Sequence, residues 1–115
     1  LESHYAPATP LRVLDKPEDF HPSDDKTYAL ISYRGQETDG FLPLHEWQNV
    51  IVLSPGSGKL PEAAVRFYFA LRQADTCSVD EIIVEPIPDR GLGKAMNDRL
   101  RRAATQPPSE KAKAT

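Results

Sequence analysis

The apolar pattern between Pro61 and Ala104 changes period twice, and this restricts the available folds more than any other feature of the chain. Pro61 and Glu62 suit a first helical turn, where a missing N–H costs nothing and a negative charge is favoured. Ala63, Ala64, Phe67, Ala70, Leu71 and Ala74 then recur at helical spacing and form one broad stripe. Asp75-Thr76-Cys77-Ser78 breaks it. Glu81-Ile82-Ile83-Val84-Glu85 is β-branched, too short for a helix, and apolar without alternation, as a strand buried on both faces must be. Pro86 to Gly91 is a turn, and from Leu92 the helical period resumes through Ala95, Met96, Leu100 and Ala103. Helix, buried strand, helix is half of an open α/β sheet. We therefore expect an α/β fold, Rossmann-like, with an open, mainly parallel sheet and flanking helices.

The strands that line up beside this unit lie upstream. Leu11 to Leu14, Thr27 to Tyr33 and Asn49 to Leu53 are short β-rich runs. Lys16 to Lys26 is polar with room for one helical turn, and Leu42 to Gln48 is ambiguous between a short helix and a loop. At 115 residues the chain reads as one domain, residues 11–104, between the end of an extended linker, residues 1–10, and a disordered tail, residues 105–115. Leu1 is no initiator Met, and Pro7 and Pro10 favour extended neighbours. The start reads as cut from a longer polypeptide. Leu1 to Pro10 is expected to be extended and mobile.

Several function classes are disfavoured. The net charge of -3 does not suit a general nucleic-acid binder. No apolar run reaches the roughly 18 residues of a membrane helix, no secretory leader is read at Leu1, and the expected setting is cytoplasmic. One cysteine, Cys77, excludes an internal disulfide and a cysteine zinc cluster. Gly56-Ser57-Gly58-Lys59 fails as a phosphate loop: Leu53 stands where the first glycine belongs, and Leu60 where Ser or Thr would meet a metal. A strand-to-helix turn accounts for those glycines. His21, Asp24 and Asp25 lie within five residues, but Pro22 and the irregular spacing make them a solvated loop, and no metal site is assigned.

Two features remain as candidates. Gly91 and Gly93 follow a strand and open a helix, where free N–H groups can meet an anion. Met96, in the third glycine's place, is too bulky for a dinucleotide fingerprint, and structural glycines are the plainer reading. Arg90, Lys94, Arg99, Arg101 and Arg102 make the last helix basic, which its C-terminus tolerates; an RNA contact is the alternative. Arg99 differs from the rest. At 100° per residue it falls inside the apolar arc, so a carboxylate partner is expected, Glu85 first and Asp75 second.

Two segments resemble one family. Ser3-His4-Tyr5-Ala6-Pro7 looks like the HYAP linker of two-domain threonylcarbamoyl-AMP synthases. Ala63-Ala64 through Asp75, the Ile82–Glu85 strand, and Gly91-Leu92-Gly93 through Asn97-Asp98-Arg99-Leu100-Arg101-Arg102-Ala103-Ala104 resemble the C-terminal domain of the same enzymes. Lys94 and Met96 depart from it where aliphatic residues are usual, and Phe69 where a small one is. The resemblance implies a parent protein whose YrdC-like N-terminal domain uses ATP, with Mg, threonine and bicarbonate to make threonylcarbamoyl-AMP and pyrophosphate for tRNA modification. It implies an accessory C-terminal domain, partnered by that catalytic domain of the same chain. The resemblance places the catalytic domain outside these residues, so no catalytic residue, metal ligand or cofactor is expected in the fragment, which by itself is expected to be inactive. His4, Tyr5, Ala6 and Pro7 would belong to a linker lying over the active site. An alternative carried by the same resemblance is an independent nucleotide- or anion-binding module, described in the family as GTP-binding.

Overall fold

The computed structural model describes residues 7–105. Strands β1 (Leu11–Val13), β2 (Tyr28–Ser32), β3 (Asn49–Val52) and β4 (Glu81–Val84) form one sheet in the order β1-β4-β2-β3, and all three pairings are parallel. Helices α1 (Leu60–Asp75) and α2 (Leu92–Thr105) complete the regular structure, with single 3-10 turns at Pro17–Asp19, Glu37–Asp39 and Leu42–Leu44. The α/β class and the parallel sheet are as the sequence implies.

Strand β4 is central, and its Ile82, Ile83 and Val84 are completely buried. Its side chains alternate between two cores. Ile82 and Val84 join Ala29, Ile31, Phe67, Leu71 and Leu100 beneath the helices. Ile83 joins Leu14, Phe20, Tyr28, Leu30 and Phe41 on the opposite face. Both helices thus lie on one face. The other is covered by the segments before β2 and β3, whose Phe20, His45 and Trp47 rings meet one another and Tyr28 of β2 edge-on or tilted at centroid distances of 5.0 to 5.7 Å. A layer of aromatic side chains there excludes water without needing a helix.

Helix α1 has no capping side chain at Lys59. Buried Ser54 replaces it: its Oγ accepts the Lys59 N–H at 2.7 Å and donates to Glu62 at 2.6 Å. The loop that superficially suggested a phosphate cradle is thereby closed on itself. Glu62, in the first turn, also offsets the helix dipole.

Two expectations need correction. The linker is not loose throughout: Pro7 is buried, Ala8 and Thr9 donate their N–H groups to the Asp75 carboxylate at 3.1 and 2.9 Å, and the Pro10 carbonyl accepts the Ile82 N–H. Arg99 does not pair with Glu85 or Asp75. It is half-buried on α2 with its guanidinium over the Tyr68 ring of α1, 6.0 Å from the centroid. The helix period placed Arg99 correctly toward α1. What it met there was an aromatic face, while Glu85 and Asp75 are engaged elsewhere.

Candidate functional site

The chain leaves β2 toward the aromatic face and leaves β4 toward the helical face. Adjacent parallel strands whose connections part in this way open a crevice at their carboxyl ends, where ligands of open α/β sheets bind. A crevice of about 530 Å³ occupies that position. Tyr33, Arg34 and Asp39 supply one side, Pro86, Ile87, Pro88 and Arg90 the other, with Phe41, Ser57 and Gly58 around the rim and Glu85 between.

Glu85 follows directly on β4 and is only 2% exposed. Its Oε1 accepts the Tyr33 N–H at 3.1 Å. Among the described residues its Oε2 has no hydrogen-bond partner, and neither has the hydroxyl of Tyr33, itself 8% exposed. Burial pushes the Glu85 carboxyl up from its ordinary range, against the Ser32 hydroxyl and the Tyr33 N–H, which favour the ionised form. Arg34 and Asp39 form a two-pronged pair with both contacts at 2.8 Å. That pair lowers the Asp39 pKa and raises that of Arg34.

The far wall is pinned by Asn97 of α2. This buried amide donates to the Ile87 carbonyl at 2.7 Å and accepts the Ile87 N–H at 3.4 Å. An isolated strand-to-helix connection has no sheet partner for those groups, and Asn97 supplies both. Gly93 is structural in the same turn: a Cβ there would lie 1.8 Å from the Pro88 carbonyl oxygen. Gly91, at φ +53°, adopts the left-handed conformation with open space around it. In this turn the N–H groups of Arg90, Gly93 and Lys94 already bond to Pro88, Arg90 and Gly91 carbonyls.

Of the residues singled out from the sequence, Glu85 lies in the crevice and Gly91 and Gly93 just behind its wall. Asp75 is at the opposite edge of the sheet, holding Ala8 and Thr9. His4, Tyr5 and Ala6 lie outside the described residues; Pro7 sits at the Asp75 edge. On the basic helix, Arg102 pairs with Asp98, and Lys94 lies 3.8 Å from Asp89. Tyr33, Arg34, Asp39 and Asn97 were not singled out. Glu85 was singled out only as a partner for Arg99, which it is not; a carboxylate closing an otherwise apolar strand is the signal that could have placed it here, while Arg34 and Asp39 carry none, because only the sheet order brings them beside it. Among the described residues, no three His, Cys, Asp or Glu side chains gather as a metal-binding group, and no helix is long and apolar enough to cross a membrane.

The family described as "Threonylcarbamoyl-AMP synthase, C-terminal domain" matches residues 1–105. A threonylcarbamoyl-AMP synthase of Bacillus subtilis (strain 168) is 35% identical over 109 residues. The matched region takes in 89% of this chain and 30% of that relative, so the chain spans under a third of the relative's length.

Proposed function

Because the chain belongs to the family of threonylcarbamoyl-AMP synthase C-terminal domains, we propose that it is the accessory domain of such a synthase, gripping the linker that crosses the catalytic cleft of a YrdC-like domain in the same polypeptide. The parent reaction would be ATP, L-threonine and bicarbonate giving threonylcarbamoyl-AMP and pyrophosphate, in the pathway of tRNA threonylcarbamoyladenosine modification. The observation that carries the reading is the Asp75 clasp on Ala8 and Thr9. Two backbone bonds to one carboxylate fix the direction in which the chain enters this domain at Ala8 and Thr9. A linker held at one end closes over a cleft at a smaller entropy cost than a free one.

The residues here do not fit an ATP–magnesium group. Asp39 already neutralises Arg34, Glu85 opposes a phosphate, and the Ser54–Lys59 loop is closed by its own hydroxyl bonds. No step of ATP chemistry is assigned to this chain, and residues 1–115 alone should release no pyrophosphate. The test is made in a two-domain protein carrying this chain behind its catalytic domain. Asp75→Ala should lower kcat for pyrophosphate release while the far-UV signature of the domain persists. Unchanged turnover in that variant, or in one with residues 11–104 deleted, would overturn the proposal.

A further inference from the structure

Three charged side chains, Arg34, Asp39 and Glu85, line the crevice together, and one arginine stands against two carboxylates. They share the aromatic side of the sheet. The Tyr33 ring turns away into the core beneath the helices, whereas Phe41, at the crevice rim, belongs to the opposite core with Ile83. Alternation from Ile83 puts the Glu85 carboxyl on that second side. Arg34 is the next residue after Tyr33, whose N–H Glu85 Oε1 accepts at 3.1 Å, so its Cα lies only about 3.8 Å of chain beyond that contact's residue. Its guanidinium nevertheless goes to Asp39, through two bonds of 2.8 Å. Among the described residues, Glu85 Oε2 is left buried and without a partner. The β1 neighbour of this site, Leu14, brings no charge, and the other charged groups nearby, Asp15 after β1 and Asp89 and Arg90 in the turn before α2, are exposed.

The two carboxylates stand in unequal surroundings. The Arg34 and Asp39 side chains are 36% and 26% exposed, and an ion pair so open to water adds little to stability. Glu85 is buried, and an ionised carboxylate left alone there is far more costly. Each group feels the others: Arg34 favours the ionised form of Glu85, Asp39 disfavours it, and both carboxylates hold the Arg34 charge. We propose that Arg34 is a two-position latch, bound to Asp39 while Glu85 is protonated and drawn onto Glu85 Oε2 when Glu85 ionises. The exchange gives up a weak, part-exposed pair to meet a buried charge that would otherwise stand alone. Releasing Asp39 frees the Glu37–Asp39 turn from the end of β2. Gly40, at φ +94°, is the hinge that can take up the rotation, and buried Phe41 is its fixed far side. The Asp39 wall of the crevice is thus held at acid pH and released as pH rises through the Glu85 midpoint.

The experiment is a pH titration of the whole chain between about pH 5 and pH 9, followed by NMR at the Glu85 carboxyl carbon, the Arg34 Nε–H and the amides of Asp39 and Gly40. All four signals should move with one midpoint. Glu85→Gln keeps an acceptor for the Tyr33 N–H, and in it the Arg34 and Gly40 signals should stay flat over the same range. Arg34→Gln alters a part-exposed side chain, so it keeps the test open if the Glu85 variant unfolds. It should raise the Glu85 midpoint by about one unit, a tenfold change in proton affinity, and abolish the shift at Gly40. Arg90→Ala should leave the common midpoint in place. The proposal is overturned if Glu85 does not titrate in this range, if it titrates while the Arg34 Nε–H stays fixed, or if Arg90→Ala moves the midpoint and Arg34→Gln does not.

Discussion

Glu85 shows how one side chain ties the stability of this domain to pH. Its folded-state pKa is raised by burial, so its contribution is fully present below the ordinary glutamate range and is lost as pH rises through the folded value. Asp39 and Asp80 are shifted the opposite way, Asp39 by the Arg34 hydrogen bond and Asp80 by the Thr27 N–H and hydroxyl, and add stability as pH rises from acid. The difference between two proteins isolates Glu85. The melting temperature of Glu85→Gln minus that of the parent should increase between about pH 4 and pH 7; parallel curves would show that burial does not penalise the charge. Gly93 makes a different residue-scale prediction. A methyl at this position overlaps the Pro88 carbonyl, so Gly93→Ala should lower stability by about 1–3 kcal/mol or more in denaturant titration. Gly91→Asn, in open space at a conformation asparagine tolerates, should cost much less.

Among the elements, α2 carries the two polar side chains that a purely apolar stripe would not predict, and they play different parts. Asn97 holds the β4–α2 connection by bonding both backbone groups of Ile87. Arg99 rests on Tyr68 and ties α2 to α1. The distinction is quantitative. A buried ion pair broken from one side costs about 3–5 kcal/mol, whereas a cation over a ring at a partly exposed site contributes about 0.5–1 kcal/mol. Arg99→Ala should therefore lower stability by about 1 kcal/mol, lost packing of its aliphatic stem included. A loss of several kcal/mol in chemical denaturation would mean that Arg99 has a carboxylate partner after all.

At the scale of the whole molecule, the sheet separates two working edges. The linker is held at the edge where the strands begin, by Asp75, and the crevice opens where they end. A third surface lies on the outer side of α1, where Val65 is 85% and Phe69 64% exposed. Neither contributes to the core of this domain. Phe69→Ser should therefore change the stability of the isolated chain by no more than about 0.5 kcal/mol. If the face packs on the catalytic domain, the same substitution should reduce turnover in a two-domain protein, and equal turnover there would assign Phe69 no such contact.

The sequence by itself determined the elements. The β-branched run at Ile82–Val84, the stripes of α1 and α2, and the turn glycines act over a few residues, and local sterics and amphipathic burial read them directly. It named Glu85 only as a carboxylate at an element end, the first candidate partner for Arg99. The sheet order was decided only in three dimensions. Inserting β4 between β1 and β2 brings Tyr33 against Glu85, 52 residues apart, and the local periodicity of either segment is unaffected by which neighbour it finds. For the same reason Arg99 was placed on the right face but assigned the wrong partner. Helical spacing fixes the direction of a side chain, and only packing decides whether it meets a carboxylate or the ring of Tyr68.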